Sequence, residues 1–216
     1  MSVLTDEHRV VAEAIVAKYP NSRSATLPLL FLVQSIEGYV SEDGMREVAA
    51  ILGLTPAEVF AAASFYTMLK KKPQGKYLIS VCRNISCTHL GAGRVIEALE
   101  ERLGVEPGGT TADGHFSLEA AECLATCDGA PSLQINYEDF YRVTPEEAVA
   151  LVDELSSGGS VHSVRGEVVK TSREIARETA LAGTTHPGEP EEGRTVGGES
   201  MPADMAPGFR PRVPGE

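Results

Sequence analysis

The chain has 216 residues, 42% of them apolar and 23% charged, and a formal charge of −12. This length allows one or two domains with a buried core, while the acidic balance argues against a phosphate-binding face, so no nucleic-acid partner is expected. No run approaches the ~18 apolar residues of a spanning helix. The opening Met1-Ser2-Val3-Leu4-Thr5-Asp6-Glu7 shows neither a basic segment nor an apolar one, so neither a signal peptide nor direct membrane insertion is expected. A cytoplasmic address follows, in which thiols stay reduced.

Residues 1–74 read as helices only. Val10, Val11, Ala14, Ile15 and Lys18 form a stripe at helical spacing with Thr5 as N-cap, broken by Pro20-Asn21-Ser22. Leu29, Leu30, Leu32, Val33 and Ile36 make a second helix that stops at Gly38. Ser41 caps a third, with Met45, Val48, Ala49 and Leu52 facing inward and Gly53 closing it. Thr55-Pro56-Ala57-Glu58 is a capping box with proline at the first helical position, opening a helix that carries Val59, Phe60, Ala63 and Tyr66. A small helical bundle is expected.

From Lys76 the period changes. Tyr77-Leu78-Ile79-Ser80-Val81 reads as a buried strand running into Cys82. A helix follows, with Val95, Ile96, Leu99 and Leu103 on one face, and Gly91-Ala92-Gly93 near its start is read as permitting close helix–sheet packing. Phe116 to Ala120 suggests a second strand. Leu133 to Asn136 and Phe140 to Val143 suggest a hairpin across Tyr137-Glu138-Asp139, and Thr144-Pro145-Glu146-Glu147 opens a last helix. Strand, helix, strand, strand, strand, helix is a thioredoxin-like order. The fold class is thus α+β: an N-terminal helical bundle (1–74), a thioredoxin-like α/β domain (75–157), and a Gly/Pro-rich tail (158–216). One helix is expected in the tail, around residues 167–181, and the remainder is read as extended, partly disordered or partner-wrapping.

The only thiols form two pairs, Cys82-x4-Cys87 and Cys123-x3-Cys127. Each pair lies beside the end of a strand, so two loops at one end of a sheet would present all four sulfurs. Thiolates are soft ligands that select zinc, copper(I) or iron–sulfur clusters. A 2Fe-2S cluster needs two thiolates for each iron, so two close pairs suit it. Cys82 and Cys87 are expected to hold one iron, and Cys123 and Cys127 the other. Arg83 adds positive charge nearby, and Gly129-Ala130-Pro131 marks a tight turn beside the site. A zinc-stabilised interaction module remains a rival, although structural zinc usually shows C-x2-C spacing on at least one side. A dithiol redox sensor, disulfides and four simply buried cysteines are further readings of the same residues.

The segments Val81-Cys82-Arg83-Asn84-Ile85-Ser86-Cys87 and Glu122-Cys123-Leu124-Ala125-Thr126-Cys127-Asp128-Gly129-Ala130-Pro131 resemble the thioredoxin-like 2Fe-2S ferredoxin family. Within it they are most similar to the small iron–sulfur subunits of the NADH-dehydrogenase arm of respiratory complex I. Ser64-Phe65-Tyr66 and Leu133-Gln134-Ile135-Asn136 fit the same pattern, so the resemblance spans roughly residues 5–155. It implies an electron-transfer subunit of an NADH:quinone oxidoreductase that holds one 2Fe-2S cluster and has no substrate site of its own. FMN and NAD would lie only on a neighbouring flavoprotein subunit, with other peripheral-arm subunits around it, on the cytoplasmic face of the membrane. Equivalent subunits of NAD-dependent hydrogenases and formate dehydrogenases share the pattern. One departure is visible. The family commonly has a Gly-Ala step where this chain has Ala125-Thr126, a change expected to leave ligation intact but to alter the loop backbone and the donors near sulfur.

Among other residues, His89 reads as a solvated helix-start residue. Phe60, Phe65 and Tyr66 read as core or interface, and Lys70-Lys71-Lys72 as a solvated linker.

Overall fold

The computed structural model describes residues 2–183. Its first half is helical: α1 (Asp6–Ala17), α2 (Thr26–Glu37), α3 (Glu42–Leu52) and α4 (Pro56–Phe65). Their starts follow local chemistry. Ser41 accepts from the Gly44 N–H at 3.0 Å, and Thr55 and Glu58 bond each other's backbone as a reciprocal box. Thr5 caps α1 with His8 as its partner. The inward stripe of α1 is narrower than expected: Ala12 and Ile15 are buried, Val10 faces solvent, and Leu4, just ahead of the helix, supplies core volume instead. Glu47 fixes that leading segment by accepting from the Val3 and Leu4 N–H groups at 2.6 and 3.2 Å. Burial pushes the Glu47 carboxyl up, but these donors, Ser2 and Arg9 outweigh it and hold it below its ordinary value.

The second half is a four-stranded sheet in the order β2-β1-β3-β4, formed by β1 (Tyr77–Cys82), β2 (Phe116–Ala121), β3 (Leu133–Ile135) and β4 (Glu138–Phe140). β1 runs parallel to β2, with Tyr77 opposite Phe116 and Cys82 opposite Ala121. Parallel pairing needs a crossover, supplied here by α5 (Ile85–His89) and α6 (Ala92–Leu103). β3 pairs antiparallel with both β1 and β4. The last helix of this half is α7 (Pro145–Ser156), opened by a Thr144–Glu147 box. Val81, Leu118, Leu133 and Ile135 of the sheet share a core with Val95 and Leu99 of α6 and with Val152 of α7.

The hairpin differs from the expected one. Its turn is Asn136-Tyr137, both at positive φ (49° and 72°), and the return strand is 138–140 rather than 140–143. Two left-handed residues match the twist of a two-residue hairpin, and buried Asn136 is fastened there. Its Oδ1 accepts from the Leu78 N–H at 2.8 Å, and its Nδ2 donates to the carbonyls of Lys76 (3.0 Å) and Lys170 (2.8 Å). Arg142, again at positive φ, ends any extension of the strand toward Val143.

The expected helix around 167–181 is α8 (Ser172–Leu181), and it packs along α2 rather than trailing away. Ala176 and Ala180 are buried, Ala180 within the core of the helical half. Arg173 donates to the Ile36 and Glu37 carbonyls at the end of α2 (3.0 and 3.1 Å), a cation satisfying the carbonyl pole of a helix. Ser172 meets the chain just ahead of β1, its N–H bonding the Lys76 carbonyl. Gln34 closes another link by bonding the Met68 carbonyl and the Lys70 N–H, and the Lys70 ammonium lies 3.9 Å from Glu119 on β2. Lys70 is therefore a tether between the two halves, not only a solvated linker residue. The extended or partner-wrapping character expected for residues 184–216 lies outside the described residues. No single helix among the described residues is long and apolar enough to cross a membrane.

Candidate metal centre

All four cysteines are free, and they come from four different backbone settings. Cys82 is the last residue of β1 and Cys87 the middle of α5, with 3% and 1% of their surface exposed. Cys123 follows the end of β2 by two residues, and Cys127 opens a 3-10 turn over 127–129; both are exposed. Register explains the convergence of the first three. Because Cys82 pairs with Ala121, the parallel strands end level with each other and their loops leave on the same side. The loops are then stitched: Arg83 N–H donates to the Ala121 carbonyl at 2.9 Å, the Asn84 side chain to the Glu122 carbonyl at 3.1 Å, and Arg83 pairs with the Glu122 carboxylate. The charge expected from Arg83 is thus shared with a carboxylate.

Cys82 interacts with the side chains of both Cys87 and Cys123. Burial pushes its thiol up, yet the Asn84 and Leu124 N–H groups, with those two cysteines, outweigh burial and hold it below the ordinary thiol range. Burial lifts Cys87 above that range and Cys82 adds to the lift, while the Ser132 hydroxyl and N–H pull the other way without reversing it. Cys123 Sγ accepts from the Ala125 N–H at 3.4 Å. That contact depends on Ala125 adopting φ +59°, a left-handed backbone in which glycine has no Cβ penalty. The Ala-for-Gly departure therefore falls on the one residue of the loop whose conformation favours glycine. Cys127 makes no sulfur hydrogen bond among the described residues.

Among the described residues no group of three or more His, Cys, Asp or Glu side chains is gathered closely enough to hold a metal ion as the side chains stand. What the site does offer is four thiols with N–H donors aimed at the sulfurs of Cys82, Cys87 and Cys123. Donors to sulfur suit thiolates that share a polynuclear iron–sulfur core, whose potential they tune. The donor set fits a 2Fe-2S cluster.

Several neighbours differ from expectation. A short helix, α5, precedes α6, so His89 is the exposed end of one helix rather than the start of the next. Gly91 is the left-handed N-cap of α6 (φ +103°), whereas Gly93 faces open space and is not required by helix–sheet packing. Phe60, Phe65 and Tyr66 are not core: Phe65 is 78% exposed and the others about half. Ser132, a buried hydroxyl against Cys87, is not legible in the sequence, because a serine between Pro131 and a strand carries no signal of its own.

A profile of the thioredoxin-like 2Fe-2S ferredoxin family matches residues 12–156. The chain is 44% identical over 193 residues to the E subunit of the NADH-quinone oxidoreductase of Mycobacterium bovis, covering 89% of this chain and 75% of that protein. It is 38% identical to NADH-quinone oxidoreductase subunit 2 of Thermus thermophilus, over 74% of this chain and 90% of the relative. Among solved structures, an NAD+-reducing NiFe hydrogenase in its H2-reduced state superposes with a TM-score of 0.50 at 25% identity. That likeness covers 54% of this chain and only 20% of the hydrogenase polypeptide.

Proposed function

Because the chain belongs to the thioredoxin-like 2Fe-2S ferredoxin family, we propose that it is the small electron-carrying subunit of an NADH:quinone oxidoreductase. The observation that carries this reading is the 44% identity to the mycobacterial subunit over 193 residues, 89% of this chain, a span too long to be confined to either half of the molecule. The NAD+-reducing hydrogenase shares the fold over about half of this chain at much lower identity, which favours the quinone enzyme over a hydrogenase.

A bound 2Fe-2S cluster supplies one-electron carriage. The residues of this chain do the rest. Cys82 and Cys87 are taken as the ligands of one iron and Cys123 and Cys127 as those of the other. The buried end of β1 fixes the first pair, and the parallel register with β2 brings the second loop alongside it. N–H groups of Asn84, Leu124, Ala125 and Ser132 face the sulfurs and offset the negative charge that reduction adds. The exposure of Cys123 and Cys127 brings the site to the surface, which suits transfer to and from neighbouring proteins, since electron transfer falls steeply with distance. The chain works as a component of a larger assembly. Its immediate neighbour is a flavoprotein subunit holding FMN and the NADH site, which divides a hydride into single electrons, in a peripheral arm on the cytoplasmic face of the membrane. The polypeptide itself converts no substrate.

The test is affinity isolation of the tagged full chain from its own cells. Co-isolation with an assembly that contains flavin, oxidises NADH and reduces quinone is expected. Co-isolation with an assembly that draws electrons from hydrogen or formate would overturn the reading.

A further inference from the structure

Ser132 touches both buried cysteines. Its carbonyl accepts from the Cys82 N–H at 3.1 Å, and its Oγ lies 3.6 Å from Cys87 Sγ. The residue is 2% exposed, so its hydroxyl must find partners inside the protein. It has two within reach: Cys87 Sγ, and the hydroxyl of Thr126 at 2.7 Å. A hydroxyl has one proton to give. Once Cys87 binds metal as a thiolate it has no proton, so the O–H of Ser132 points at sulfur and its oxygen accepts from Thr126. Thr126 sits on the other cysteine loop, immediately before Cys127. The result is a two-hydroxyl chain that starts beside one pair and ends on a sulfur of the other.

We propose that Thr126 and Ser132 form a relay that sets the reduction potential, with Ser132 donating to the Cys87 ligand sulfur and Thr126 acting through Ser132 as a positioning residue. The inference rests on the 2Fe-2S reading and deepens it. Adding one electron makes the ligand sulfurs more negative, so an O–H···S bond strengthens in the reduced state and draws the potential upward. Thr126 polarises the Ser132 O–H and holds its rotamer, and bonds in such a chain reinforce one another.

EPR-monitored redox titration of the full chain, with iron and sulfide content measured on each sample, tests the relay. Ser132→Ala is expected to shift the reduction equilibrium about tenfold against the reduced form, 59 mV for one electron. Thr126→Val is expected to shift it about threefold in the same direction, and Thr126→Ser to restore it. The double variant should fall no further than Ser132→Ala alone, because Thr126 acts on the Cys87 sulfur through Ser132. Unchanged potentials at full cluster content, or additive shifts, would overturn the relay while leaving the 2Fe-2S reading intact. Loss of the cluster in both single variants would also overturn it, since the pair would then be a structural support rather than a tuning device. A wild-type chain without iron and sulfide would instead sink the reading beneath it.

Discussion

Cys82 and Cys87 stand on a strand end and a helix with almost no surface exposed, whereas Cys123 and Cys127 lie on an exposed loop shaped by its own backbone. The first pair inherits its position from the sheet and the layer beneath it, where Val81 and Leu133 lie opposite each other in a shared core. The second depends on local contacts: the left-handed Ala125, its N–H on Cys123, and the stitches from Arg83 and Asn84. One side of the centre is thus preorganised by folding and the other is held lightly near the surface. This division suits a carrier that must keep a fixed cofactor geometry yet offer it to a partner.

The largest expected effect ignores the difference between the sides. Alanine at Cys87 or at Cys123 should abolish the cluster rather than halve it, because each iron needs both of its thiolates; iron and sulfide analysis checks this, and retention of half the iron would break the pairing. The layers beneath should respond unequally. Leu133→Ala opens a cavity under the buried side and should cost about 2–5 kcal/mol in urea unfolding, whereas Leu124→Ala, on the half-buried loop, should cost about 1 kcal/mol. Equal costs would contradict the comparison. Ala125→Gly removes a left-handed Cβ penalty of about 1–2 kcal/mol against a greater loss of chain freedom of about 0.5–1 kcal/mol. A net gain of about 0.5–1 kcal/mol in the cluster-loaded chain is expected, and a net loss would show that the loop is not left-handed there. The smallest effect belongs to the exposed Arg83–Glu122 pair. Glu122→Gln should cost no more than about 0.5 kcal/mol and cost nothing in molar salt.

What could be read from the sequence follows the range of the forces involved. The boxes at Thr55–Glu58 and Thr144–Glu147 were legible because a cap is made by residues three apart. The cysteine pairs stand out in one dimension because the members of each pair lie close together in sequence. The hairpin slipped by two residues since Phe140-Tyr141-Arg142-Val143 has strand-like side chains, while the turn that decides the register uses Tyr137 at positive φ, without the usual Asn-Gly signature. Five-residue α5 is too short to show a period, so the helical setting of Cys87 was not seen. α8 was visible as a helix, but its partner was not, because small alanines that pack against α2 and an arginine that caps it look like an ordinary solvated helix in one dimension. The Thr126–Ser132 contact joins residues whose meeting on Cys87 depends on the whole sheet, and nothing in their own neighbourhood announces it.

The most direct test of the central claim is the EPR spectrum of the dithionite-reduced chain, taken with its iron, sulfide and zinc content. A paramagnetic one-electron-reduced centre with about two irons and two sulfides per chain is expected. A silent spectrum from a chain holding one zinc would contradict it.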